Sequence, residues 1–218
     1  MRYLIKNDNG YVLTELGYAL IVILFIVLIF VLLFISAKMN SNRVFDVKKL
    51  AFCAMSISLA TATSMFKIIN FPFGGSITFF SMLCICLTGY FYGLGAGITS
   101  GMAFGIIQFI LNPYILFPVQ VILDYIFAYA SLGLAGIFSR SKHGLVKGYI
   151  IGVLGRYFFT VLSGWIFFRE YAWKGWGVLT YSLVYNGIYI FAEAILTISI
   201  ICIPAVSKAI DRIKSFIF

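Results

Sequence analysis

The sequence predicts an all-α polytopic membrane protein, and three observations carry that prediction. Hydrophobic residues make up 62% of the 218 and charged residues only 11%, with a mean hydropathy of +1.05, far outside the range of soluble globular chains. Apolar runs of about 20 residues recur along the chain, the length that spans a hydrocarbon core of roughly 30 Å at ~1.5 Å per helical residue. These runs are continuous, whereas a transmembrane barrel needs alternating segments of ~10 residues.

Seven spans are expected. The first covers residues 17–37, and residues 18–35 carry no charge. It is too long for a signal peptide, and Ile35-Ser36-Ala37 is a poor cleavage site, so it reads as a retained anchor. A polar, basic linker follows at 38–49, including Asn40-Ser41-Asn42-Arg43. This is the one segment boundary, dividing an anchor and linker (1–49) from a membrane domain (50–218).

Six further spans are expected at 50–69, 77–92, 93–111, 115–138, 145–168 and 177–206. Short connections at 70–76 (with Pro72 and two glycines), 112–114, 139–144 and 169–176 separate them. Pro118 begins or kinks the fifth span, because it lacks an amide hydrogen and fixes its own φ.

Lys and Arg counts set the orientation. One side collects ten: Lys38, Arg43, Lys48, Lys49, Arg140, Lys142, Lys147, Lys208, Arg212 and Lys214. The other collects Arg2, Lys6, Arg169 and Lys174. The richer side is therefore expected to be cytoplasmic, with the amino terminus outside and the carboxy terminus inside. The net charge of +9 follows the ends of apolar runs and does not form a nucleic-acid footprint.

Cys53, Cys84, Cys86 and Cys202 fall inside the expected spans without zinc-type spacing, and His143 has no companion ligand. They read as apolar thiols. No metal site or cofactor is expected, and no P-loop or other phosphate cradle is present.

Ionisable residues inside a span cost roughly 2.5–3.5 kcal/mol each on insertion scales, so each requires a reason. Lys67, Asp124, Arg156 and Glu193 are the four. Lys67, near the outer end of its span, is expected to snorkel. Two readings compete for the other three: Arg156 pairs with a carboxylate between helices, or an acid faces a ligand cavity. Gln120 and Asp124 are four residues apart, on one helix face, which favours a polar lining.

Small residues repeat every fourth position at Gly97, Gly101 and Gly105, and at Ala54, Ser58 and Ala62. Either stripe lets another helix approach closely, and packing within the chain is the commoner use. Residues 167–177 hold five aromatics in eleven positions, and Tyr181 and Asn186 follow in the last span. Aromatics beside an acid make a cage suited to a cation, and an Asn inside a span needs a hydrogen-bond partner.

These residues carry a family resemblance. Asp124-Tyr125, then residues 131–136 (SLGLAG), Arg156-Tyr157-Phe158-Phe159, residues 171–177 (YAWKGWG), Tyr181-Ser182-Leu183 and Asn186-Gly187 resemble the thiamine-specific substrate-binding (S) components of energy-coupling-factor transporters. The resemblance covers about residues 50–206 and is most specific over 156–187. It implies a six-helix S-component core, to which the amino-terminal span is an addition, with an occluded site in the outer half of a bacterial plasma membrane.

By the resemblance, Asp124 hydrogen-bonds an aminopyrimidine while aromatics stack on the heterocycles. Tyr114, Tyr125, Gly164, Tyr181 and Asn186 also line the site, joining the Gln120 read from its spacing, and residues 70–76 form its lid. Thr160 stands where the family has a ligand-contacting His, Phe168 where it has a stacking Trp, and Gly75 at the lid Trp. The acid is Asp where the family has Glu. The implied partners are thiamine or a related heterocycle or precursor, a membrane coupling subunit and two ATPase subunits. The small-residue docking signature of the family is blurred, since Met55 follows Ala51.

Two other readings belong to different classes. A stand-alone proton-coupled transporter would use Glu193 or Asp124 as its relay, although no inverted repeat is evident. An intramembrane hydrolase would use Ser163, but no His lies within a span to serve as base, and Asp124 is the one aspartate in a span.

Overall fold

The computed structural model describes residues 4–7, 10–13, 47–71, 75–173 and 175–217. The expected first span at 17–37, and the linker up to residue 46, lie outside the described residues. Near the amino end, β1 (Leu4–Asn7) pairs antiparallel with β2 (Gly10–Leu13), with Asn7 opposite Gly10.

The membrane domain opens with α1 (Val47–Met65), which ends sooner than expected. Residues 67–69 are not helical: Lys67–Asn70 forms β3, paired antiparallel with β4 (Ser76–Thr78). The β-branched pair Ile68-Ile69 suits an extended strand. Consequently the next helix, α2, covers only Ser81–Tyr92. Twelve residues rise ~18 Å, short of a full hydrocarbon core.

Then come α3 (Leu94–Leu111), α4 (Pro118–Phe138), α5 (Gly144–Phe167) and α6 (Val178–Ile201), all four long and apolar enough to cross a membrane. The expected last span ran on to 206, but α6 stops at Ile201. Pro204 cannot continue the hydrogen-bond ladder, and it opens a separate helix, α7 (Pro204–Ile217). Cys202 is therefore exposed between two helices and not buried in a span. Lys214 on α7 reaches the Ser139 carbonyl and sits 3.7 Å above the Tyr90 ring, tying α7 to the bundle.

The α4 rod changes winding along its length. Its first turn is α-helical, Ile122–Phe127 is a π-helix, and Ser131–Phe138 is a 3₁₀-helix. That lower half packs against α2, α3 and α5, and its small residues make the approach possible. The glycine stripe of α3 serves this packing: a Cβ on Gly97 would lie 2.7 Å from Gly133 Cα, and one on Gly105 would strike the Tyr125 carbonyl. The stripe Ala54, Ser58 and Ala62 instead faces outward on α1, while Ser56, Ala60 and Ser64 turn inward.

Besides an apolar core around Met82, Ile85, Phe104 and Leu132, the bundle exposes large apolar side chains and buries polar ones. Phe158 is 60% exposed and Ile195 65%, while Gln108, Gln120, Thr160, Ser182, Asn186 and Glu193 are buried. Apolar side chains face lipid, and polar ones find partners inside the bundle.

Candidate ligand-binding site

Inside the bundle lies a cavity of about 120 Å³. One ordered water needs ~15 Å³ on this measure, so the space suits a guest of many atoms. The nine residues expected at a site (Tyr114, Gln120, Asp124, Tyr125, Thr160, Gly164, Phe168, Tyr181 and Asn186) all line this one cavity.

Asp124 sits six residues past Pro118, within the π-helical turn. Such turns recur at functional sites because the extra residue re-aims side chains. Gln120 Oε1 accepts from the Leu116 amide at 3.1 Å. The side-chain amide must therefore present Nε2 to Asp124, and it donates to Oδ2 at 2.6 Å. A carboxylate has about four acceptor positions, so the bond from Gln120 leaves capacity for a guest's donors.

Tyr125 works on the neighbouring loop. Its hydroxyl donates to the Asn112 carbonyl at 2.8 Å and accepts from the Tyr114 amide at 3.1 Å. The Tyr114 ring is thereby held in a stack with Phe168, centroids 5.7 Å apart and 18° from parallel. On α6, Tyr181 stacks on Tyr185 at 5.6 Å, and Trp173 meets Tyr181 edge-on at 5.2 Å.

The remaining expected residues are engaged with protein. Asn186 Nδ2 donates to the Ser182 carbonyl at 2.9 Å, and its Oδ1 accepts from Tyr189 at 2.7 Å. Thr160 donates back into its own helix, to the carbonyls of Arg156 and Tyr157. Gly164 lies where a Cβ would collide with Ser182 Oγ, so it permits close contact of α5 and α6.

Sequence reasoning missed Tyr185, Tyr189, Tyr129 and Gln108, which also line the cavity. The first two carried a signal: Tyr181, Tyr185 and Tyr189 recur every fourth residue on one face of α6. Gln108 Nε2 donates to Ser64 Oγ at 2.7 Å, joining α3 to α1. Gly75 donates its amide to Tyr185 at 3.2 Å. A Cβ there would come within 2.8 Å of the Tyr185 hydroxyl and 3.0 Å of the Tyr189 ring. These two tyrosines fill the space that a side chain at 75 would need.

Lys67, Glu193 and Arg156 are each held by neutral groups. Lys67 is on a strand, and it donates to Asn112 Oδ1 at 3.0 Å beside the cavity. Glu193 is buried and accepts from the Thr78 amide and hydroxyl, Ser81 Oγ and the Met82 amide. Arg156 makes no ion pair with either acid among the described residues. It donates to the Tyr129 hydroxyl at 3.3 Å with its guanidinium 4.4 Å above that ring, and Nε has no hydrogen-bond partner among the described residues. Ser163 is fully buried beside Asp124 and lies off the cavity wall.

Fold and site together define a polytopic helical membrane protein with a polar, aromatic-walled chamber between its helices. The chain belongs to the family described as Thiamine transporter protein (Thia_YuaJ), whose model matches residues 50–212. It is 34% identical over 164 residues to the thiamine transporter ThiT of Bacillus subtilis (strain 168), covering 69% of this chain and 84% of that one. It is 32% identical over 126 residues to ThiT of Lacticaseibacillus paracasei, covering 50% and 63%. A solved structure of ThiT from Listeria monocytogenes superposes with a TM-score of 0.61 at 26% identity, over 71% of this chain and 93% of that one. These relatives are named as transporters, which argues against an enzyme.

Proposed function

We propose that this protein is the thiamine-binding S component of an energy-coupling-factor importer, holding its ligand in an occluded site in the outer half of the membrane. The observation that carries the reading is Asp124, oriented by Gln120 at 2.6 Å, in one cavity with Tyr114, Phe168, Tyr181 and Tyr185. The acid accepts from an aminopyrimidine, and the rings stack on flat heterocycles and a thiazolium cation. Support also comes from the two relatives named as thiamine transporters.

In this reading the loops at 70–76, 112–117 and 168–177 face outward, and α7 with its basic residues faces the cytoplasm. The outward-facing Ala54, Ser58 and Ala62 stripe of α1 offers a close-packing face for a membrane coupling subunit. Two ATPase subunits supply the energy. Thr160 and Phe168 at the family's His and Trp positions leave a related heterocycle or thiamine precursor as the alternative ligand. A proton relay through Glu193 is disfavoured, because four donors already hold that carboxylate.

Uptake of labelled thiamine into proteoliposomes tests the coupling. Accumulation is expected only with coupling and ATPase subunits and ATP. Accumulation by this protein alone under a pH gradient would replace the proposal with a secondary transporter.

A further inference from the structure

A second hollow opens where α2 and α4 end and α7 passes beneath them. It is an open groove of about 670 Å³, walled by Tyr92, Gly93, Ser139, Arg140, Asp211 and Lys214, and it shares no residue with the ligand cavity. Lys214 joins its walls: Nζ donates to the Ser139 carbonyl just past α4 and lies 3.7 Å above the ring of Tyr90 in the last turn of α2. An ammonium has three donors, and the Ser139 carbonyl takes one of them. Arg140 is exposed on the adjoining wall and presents a guanidinium fork suited to phosphate oxygens. Asp211 is the one acid on this wall, so the groove is net basic.

The surroundings point to a lipid and not to a soluble anion. Leu94, next to Gly93, and Ile137, two residues before Ser139, are apolar side chains 41% and 57% exposed. On α7, Ile213 and Phe216 are exposed three residues apart, and Lys208 and Arg212 are exposed four apart on another face. A helix with this pattern lies in the headgroup layer, with apolar side chains toward the acyl chains and basic ones among the phosphates. We infer that this groove binds an anionic phospholipid, its phosphate between Arg140 and Lys214 and its acyl chains along Leu94 and Ile137. In the orientation proposed above the lipid belongs to the cytoplasmic leaflet, and it fastens α7 to the ends of α2 and α4. A phosphocholine headgroup brings its own ammonium, which the two cations repel. The inference goes beyond the thiamine reading and does not depend on it.

The test is native mass spectrometry of the purified full-length protein in detergent, titrated with phosphatidylglycerol, phosphatidylcholine or inorganic phosphate. Wild type is expected to retain one phosphatidylglycerol about tenfold or more in preference to phosphatidylcholine, since each basic group near an anionic headgroup contributes about fivefold. Arg140→Gln lowers that preference about fivefold. Lys142→Gln removes an exposed cation that does not line the groove, and it leaves the preference unchanged. Arg140 is exposed, so its variant keeps the wild-type melting temperature in detergent without added lipid. Equal losses in the two variants would mean diffuse attraction and overturn the inference, as would retention of inorganic phosphate as tight as that of lipid. An unchanged preference in Arg140→Gln also overturns it; if ATP-driven uptake with coupling subunits falls in that variant, the surface belongs to a protein partner.

Discussion

Glu193 on α6 accepts both the amide and the hydroxyl of Thr78, at 3.2 and 2.6 Å, so one carboxylate fastens β4 to the last long helix. The same side chain accepts from Met82 in the first turn of α2. That helix starts after Phe80, a left-handed residue with no side-chain cap of its own. Glu193 therefore acts as a cap supplied from another helix, and its negative charge complements the positive end of the α2 dipole.

Removing this carboxylate strands several buried donors, each costing about 1–3 kcal/mol. Glu193→Ala is expected to destabilise the protein by ~3 kcal/mol or more, and Glu193→Gln by about half as much. Thermal unfolding in detergent reads both values. Wild-type stability in Glu193→Ala would show that the cap is unimportant.

The α3–α4 contact gives a paired prediction. Gly105→Ala drives a methyl group into the Tyr125 carbonyl, whereas Gly95 on the same helix has open space around it. Overpacking of this kind costs about 1–3 kcal/mol. Gly105→Ala is expected to lower the melting temperature and to disturb the Asp124 turn, and Gly95→Ala to leave both unchanged. Equal effects of the two substitutions would contradict the packing described.

The Tyr185 hydroxyl meets the Gly75 amide at 3.2 Å, just before β4. Tyr185→Phe keeps the aromatic wall and removes this tether. Thiamine dissociation, followed by stopped-flow fluorescence, is expected to accelerate several-fold with little change in protein stability. An unaltered off-rate would mean that the Gly75–Tyr185 contact does not gate the site.

Much of this was legible because membrane burial leaves strong marks in a sequence. Continuous apolar runs located the four long helices, and the four-residue spacing of Gln120 and Asp124 put both on one wall. The Gly97, Gly101 and Gly105 stripe read correctly as packing within the chain. What the sequence hid was set by tertiary partners. The β-branched pair Ile68-Ile69 leans only weakly towards a strand within an apolar run, and the pairing with residues 76–78 decides it. For Glu193 and Arg156 the choice between an ion pair and other partners stayed open, because a sequence shows opposite charges and not the hydroxyls and amides that hold Glu193. The π-helical turn at Asp124 has no sequence signature at all.

The central claim is that Asp124 recognises the ligand. Quenching of tryptophan fluorescence on titration with thiamine reports it directly, since Trp173 lies 5.2 Å from Tyr181 on the cavity wall. Wild type is expected to saturate, and Asp124→Asn to bind at least tenfold more weakly, a loss of ~1.4 kcal/mol or more. Equal affinity in the two proteins would contradict the account.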